Sequence, residues 1–163
     1  MRKIKCTLGT IDKAIKEIKE YREWLTRKTK ELNKELAHIG TEEAAHRFGT
    51  AMYDGNNDVV VEAEQKDNGW VIRASGQAVL FLEFASGVYH NPGGDPYPGG
   101  RPPGISAIGT YGKGYGKRQL WAYTDDSGNT VLTRGNPPAL GMYFAMEEMR
   151  NKLIEVAREV FSH

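Results

Sequence analysis

The chain has 163 residues, enough for one domain that buries about 68–70% of the surface its unfolded form exposes. Its 22 basic and 21 acidic residues nearly cancel, which excludes a surface built wholesale for nucleic acid. The single cysteine, Cys6, excludes an intrachain disulfide and suits assembly inside a cell. No signal-type start and no apolar run of about 18 residues is present, so no membrane partner is expected.

In chain order, residues 3–8 predict a short strand carrying Cys6. Thr10 stands as an N-cap with Asp12 in the first turn. Ile11, Ile18, Leu25, Leu32 and Ile39 then recur every seven residues, the mark of one face of a long helix. The companion row Ile15, Arg22, Thr29, Leu36 is apolar only at its ends. That argues for a helix lying across a sheet or a partner rather than for a sustained coiled coil. Gly40 predicts an end or a kink, with Thr41-Glu-Glu capping a continuation from Ala44 to Met52. Val59–Glu64 and Trp70–Ala74 read as strands around a Lys66-Asp-Asn-Gly69 turn.

Gln77–Ala85 is an apolar run whose alanines and leucines favour a short buried helix. Leu120–Thr124 and Thr130–Arg134 flank Asp125-Asp-Ser-Gly-Asn as a second hairpin. After Gly135-Asn-Pro-Pro, a last helix from near Ala139 presents Met142, Met146, Met149, Leu153, Val156 and Val160 as one buried face.

Between the helix at 77–85 and the second hairpin lies the least regular stretch. Ser86–Gln119 holds ten of the 19 glycines and five of the seven prolines, and its runs 91–104 and 109–118 can form neither a regular helix nor a central strand. Loops of this length inside a domain are functional or disordered. The domain organisation expected is therefore a single domain over 1–163, with 86–119 as an extended arm. The arm's contact residues are Tyr89, Tyr97, Arg101, Tyr111, Lys113, Tyr115, Lys117 and Arg118, a Tyr/Arg-rich set of the kind enriched at protein interfaces.

Motifs for chemistry are weak. Gly116-Lys117 lacks the upstream glycine and the following Ser/Thr of a phosphate loop. His38 and His46 are eight apart, too far for a helical metal pair, and no paired-cysteine or acidic calcium loop occurs. No serine sits in Gly-x-Ser-x-Gly context. The expectation is a non-enzymatic protein with no catalytic, cofactor-binding or metal residues. The aromatic–basic alternation over 109–121 keeps one alternative, a nucleic-acid-binding module that stacks bases on tyrosines. Glu83 is the unusual acid, embedded in Leu80-Phe-Leu-Glu-Phe84. A carboxylate there needs partners, either backbone N–H groups where the run turns into the loop or an arginine such as Arg73 or Arg134.

Three segments together resemble the neck or tail-completion family of tailed bacteriophages. They are Ala78-Val-Leu-Phe-Leu-Glu-Phe-Ala-Ser-Gly87, Arg134-Gly-Asn-Pro-Pro-Ala-Leu-Gly-Met-Tyr-Phe-Ala-Met-Glu-Glu148 and Ile154-Glu-Val-Ala-Arg-Glu-Val-Phe161. The leading helix and the hairpin at 59–74 are similar too, so the resemblance covers nearly the whole chain. Two places depart from it: Ala85 and Ser86 stand where members usually show a glycine and a small residue, and Gly141 where a proline is common. The resemblance implies an α+β fold, with a long N-terminal and a C-terminal helix packed on a small, mostly antiparallel sheet. It also implies a structural virion protein of the head–tail connector, assembled in the host bacterial cytoplasm as a homo-oligomeric ring, commonly a hexamer. Its partners would be head-side connector or adaptor proteins and tail terminator or tail tube proteins, with DNA passing through the lumen. Glu83, Phe84, Gly87, Pro138 and Tyr143 carry over as motif positions that shape the fold and the arm's base.

Overall fold

A computed structural model describes residues 8–53, 56–67, 69–87, 119–125 and 127–162. Helix α1 (Leu8–Gly49) is followed by the hairpin β1 (Val60–Lys66) and β2 (Gly69–Ser75). The short helix α2 (Val79–Phe84), the hairpin β3 (Trp121–Thr124) and β4 (Thr130–Thr133), and helix α3 (Gly141–Ser162) follow among the described residues. The fold is α+β as expected, but its sheet comes as two separate two-stranded antiparallel ribbons. The strand expected at residues 3–8 lies outside the described residues except for Leu8. That residue already opens α1, so Thr10 stands inside the helix rather than at its N-cap.

At 42 residues, α1 runs roughly 63 Å at 1.5 Å per residue. Polar residues within it are accommodated locally. Thr26, Thr29 and Thr41 donate their hydroxyls to the carbonyls of Arg22, Leu25 and Ala37 at 2.7–2.8 Å. Gly40 does not end the helix, which runs on through it to Gly49. A Cβ there would come within 2.6 Å of Ile72 Cδ1 and 2.8 Å of Met149 Sδ. Glycine at this position lets β2 and α3 approach the helix closely, which offsets its usual cost of about 1 kcal/mol in a helix. The helix stops at Gly49 instead of continuing to Met52, and Asn57 Nδ2 donates to the Phe48 carbonyl left open there.

Helix α3 packs antiparallel along α1: Gly141 lies beside Phe48, Met149 beside Gly40, and the Phe161 ring meets Trp24 edge-on at 5.6 Å. The centre of the core is made of small residues on the helices and two large ones between them. Ala44, Phe48, Ala78, Leu82 and Ala145 form it, flanked by Val61, Ala74 and Met142. Val156 and Val160 are buried as the stripe on the last helix predicts. Met146 and Leu153 are not, at 42% and 43% exposure, because Gly141 and Ala145 take the positions where the helices come closest. The N-terminal part of α1 extends past the end of α3, and there the heptad face is open: Ile11, Ile15 and Ile18 are 43%, 46% and 60% exposed.

The first hairpin pairs Ala63 with Ile72 and Glu62 with Arg73. Val61, Ala63, Ile72 and Ala74 are half-buried, while Glu62, Glu64 and Arg73 face water. Glu64 reaches Arg73 at 3.7 Å, an exposed pair of small energetic value. Asp58, just before β1, accepts the N–H of Gln77 at 2.7 Å and of Ala78 at 2.9 Å, fixing the start of α2, which has no side-chain cap of its own. These backbone donors hold the Asp58 carboxyl below its ordinary range. Asp125 does the equivalent job in the second hairpin, where it accepts the N–H of Ser127 and Asn129.

Two outcomes are expected. Gly40→Val should lower the free energy of unfolding in urea by roughly 1–3 kcal/mol, because the branched side chain must displace Ile72 and Met149; an unchanged midpoint would show the gap can open freely. Asp58 contributes stability above its unfolded pKa of about 3.9, and this is lost as pH falls through the lower folded value. Urea titrations between about pH 5 and about pH 3 should therefore show a shallower loss for Asp58→Asn than for the native chain. Equal slopes would mean that the carboxylate's bonds to Gln77 and Ala78 add nothing.

A candidate functional site where α2 meets α3

Residues 50–60 apart in sequence meet where α2 ends and α3 begins. Glu83 is the centre of this junction and is only 3% exposed. Its Oε2 accepts the N–H of Met142 at 3.0 Å and its Oε1 that of Tyr143 at 3.2 Å. These are orphan donors of the first turn of α3, which contains no acidic residue of its own. Glu83 therefore caps α3 from another element, and its charge faces the positive end of the helix dipole. The expectation of backbone N–H partners is met, but the donors belong to α3 rather than to the start of the loop.

Around this contact the chain is tied twice more. Ala139 donates its N–H to the Leu82 carbonyl at 2.7 Å. Asn136, 2% exposed, donates Nδ2 to the Phe81 carbonyl at 2.9 Å and its N–H to Ser86 Oγ at 3.0 Å. Ser86 answers with its N–H to the Asn136 carbonyl at 3.0 Å and its hydroxyl to Asn136 Oδ1. The backbone bends sharply to allow this. Gly87 and Gly135 have φ of +78° and +85° and each lies against the other's neighbouring backbone, where a Cβ has no room.

Ala85 occupies φ 71°, ψ 166°, a region glycine enters far more readily. This is the position at which the resembled family usually has glycine, and the backbone path suits that residue. Leu140, at φ 54°, turns the chain so that α3 starts at Gly141, two residues later than the sequence suggested. Gly141 is needed there because a Cβ would sit 2.7 Å from the Phe48 ring.

Of the motif positions, Glu83, Phe84, Gly87 and Tyr143 are brought together. Phe84 and Leu140 form a small apolar cluster covered by Tyr143 and Phe144, whose rings meet edge-on at 5.2 Å. Arg47, from the last turn of α1, lays its guanidinium 3.6 Å over the Phe144 ring and bonds Glu43 at 2.6 Å. Pro138 is half-buried in the segment leading to Ala139. The arm residues Tyr89, Tyr97, Arg101, Tyr111, Lys113, Tyr115, Lys117 and Arg118 all lie outside the described residues, as does most of 109–121. Sequence reasoning missed Asn136 and Asp58. Asn136 had one signal, an amide between a glycine and two prolines, where side-chain hydrogen bonds to the backbone are favoured.

Among the described residues no group of three or more His, Cys, Asp or Glu is placed to hold a metal ion. Within the same residues no helix is long and apolar enough to cross a membrane. What the junction does chemically is accept hydrogen bonds: both Glu83 oxygens are taken by backbone donors. Comparison with protein-family models, with curated proteins and with solved structures finds no match to this chain.

Glu83→Gln keeps the shape but offers one acceptor and turns an NH2 toward a helix N-terminus. It should cost about 1–3 kcal/mol in urea unfolding. A variant as stable as the native chain would show that the two bonds to α3 are dispensable.

Proposed function

We propose that this protein is a structural component of the neck of a tailed bacteriophage, one subunit of a ring at the joint between capsid and tail. The observation that carries the reading is the junction around Glu83. Two of the three segments that carry the family resemblance, 78–87 and 134–148, are far apart in sequence and touch through Glu83 and Tyr143. The α+β architecture, with a long leading helix, a C-terminal helix and antiparallel hairpins, supports the same reading.

A ring needs each subunit to present one surface to the next. The apolar residues left exposed on α1 and α3 supply material for such surfaces. In this reading the 86–119 segment is an arm that meets a neighbouring subunit and orders as it binds, with Tyr89, Tyr97, Arg101 and the 111–118 tyrosines and cations as its contacts. Glu83, Ser86 and Asn136 then have the job of fixing where the arm leaves the body. DNA would pass through the lumen without sequence-specific contact.

Light scattering on the purified protein, alone and mixed with head-adaptor and tail-tube proteins of a tailed phage, tests this. The expected result is a mass that is a multiple of 18.2 kDa, reached alone or on adding those partners. Deletion of 93–116 should abolish that assembly while leaving a cooperative melt. A chain that stays monomeric in every mixture would refute the neck assignment.

A further inference from the structure

The described residues leave two apolar features without a cover, one convex and one concave. The convex one is the overhang of α1. Because the Phe161 ring at the end of α3 meets Trp24, the part of α1 before Tyr21 projects roughly 20 Å past α3 at 1.5 Å per residue. Its ridge is Ile11, Ile15 and Ile18, with Tyr21 beside them at 59% exposure. The concave feature is a groove of about 260 Å³ between α1, β2 and α3. It is lined by Ala37, Trp70, Ile72, Met142, Met146 and Met149, without a charged group. That volume exceeds the ~150 Å³ of an apolar cavity that admits benzene. Three of its walls are methionine, the side chain that adapts best to an incoming apolar surface.

We infer that the isoleucine ridge of one copy seats in the methionine-lined groove of the next, making a head-to-tail contact between copies of this chain. This deepens the ring reading above and rests on it. Three observations favour this occupant. Ridge and groove are different surfaces about 28 Å apart along α1, at 1.5 Å per residue from Ile18 to Ala37, which is the arrangement a heterologous interface needs.

Pairing of ridge with ridge is disfavoured. Arg22 and Thr29 interrupt the second row, so the seam falls short of the roughly three to four heptads a coiled coil requires. Three isoleucines and a tyrosine on a bare helix also fall below the ~800 Å² per partner of a stable contact; a groove that also takes the ridge's flanks adds area. Finally, a net charge of +1 leaves almost no repulsion between copies.

The test uses two full-length variants, Ile18→Asp and Met146→Asp, both at positions exposed enough to leave folding intact. A thermal melt checks each, and Ile18→Gln and Met146→Gln replace any that melts early. Light scattering should show that each variant alone has lost the native chain's assembly, while an equimolar mixture recovers a 1:1 pair through the one intact ridge and one intact groove. Assembly by Met146→Asp alone would mean ridges pair with ridges, and assembly by Ile18→Asp alone that grooves pair with grooves; either overturns the inference. Variants that each assemble alone as fully as the native chain overturn it too, yet leave the neck reading standing. A native chain monomeric by itself at its highest soluble concentration also overturns it, and the mixtures with head and tail proteins then decide the neck reading separately.

Discussion

A carboxylate with 3% exposure must be compensated, because burying it unpaired costs several kcal/mol. Glu83 is compensated by two backbone N–H groups at the start of α3, and that requirement orders much else in the molecule. It ties the first turn of α3 to the end of α2, beside the segment in which Asn136 bonds Ser86 directly. The dependence runs both ways: α3 has no acid of its own in its first turn, so it would begin with open donors if Glu83 were elsewhere.

The second constraint is closeness. Gly40, Ala44, Gly141 and Ala145 lie where α1, α3 and the first hairpin meet. Small residues there let backbones approach and leave Phe48 and Leu82 to fill the centre. One consequence is that the longer side chains of α3, Met146 and Leu153, are displaced to the rim, where they remain partly open to water. Another is that α3 is matched to only part of α1. Among the described residues the remainder of the long helix projects with Ile11, Ile15 and Ile18 exposed.

Two positions depart from the pattern of the phage neck family that the sequence resembles. Ala85 departs from the family's usual glycine and adopts a backbone conformation that glycine would hold with less strain. Gly141 departs from the usual proline at a first-turn position where proline is also well suited, and here it is the Phe48 ring that requires the smaller residue.

The chain's own pattern determined the elements. Period-two and period-seven spacing, turn residues at 67–69 and 125–129, and the alanine–leucine run before Phe84 were enough to place two long helices, one short one and two hairpins. Such signals are local, so they are written in neighbouring residues. Three decisions were not local. Gly40 reads as a breaker in sequence and is a packing residue in space, because only the approach of Ile72 and Met149 gives glycine a purpose there. The burial stripe on α3 shifted onto Gly141 and Ala145, because side-chain size matters only relative to the facing helix. Glu83 needed partners, and the sequence showed the need; that they would be Met142 and Tyr143 followed only once the chain, 59 positions further on, had returned to its side.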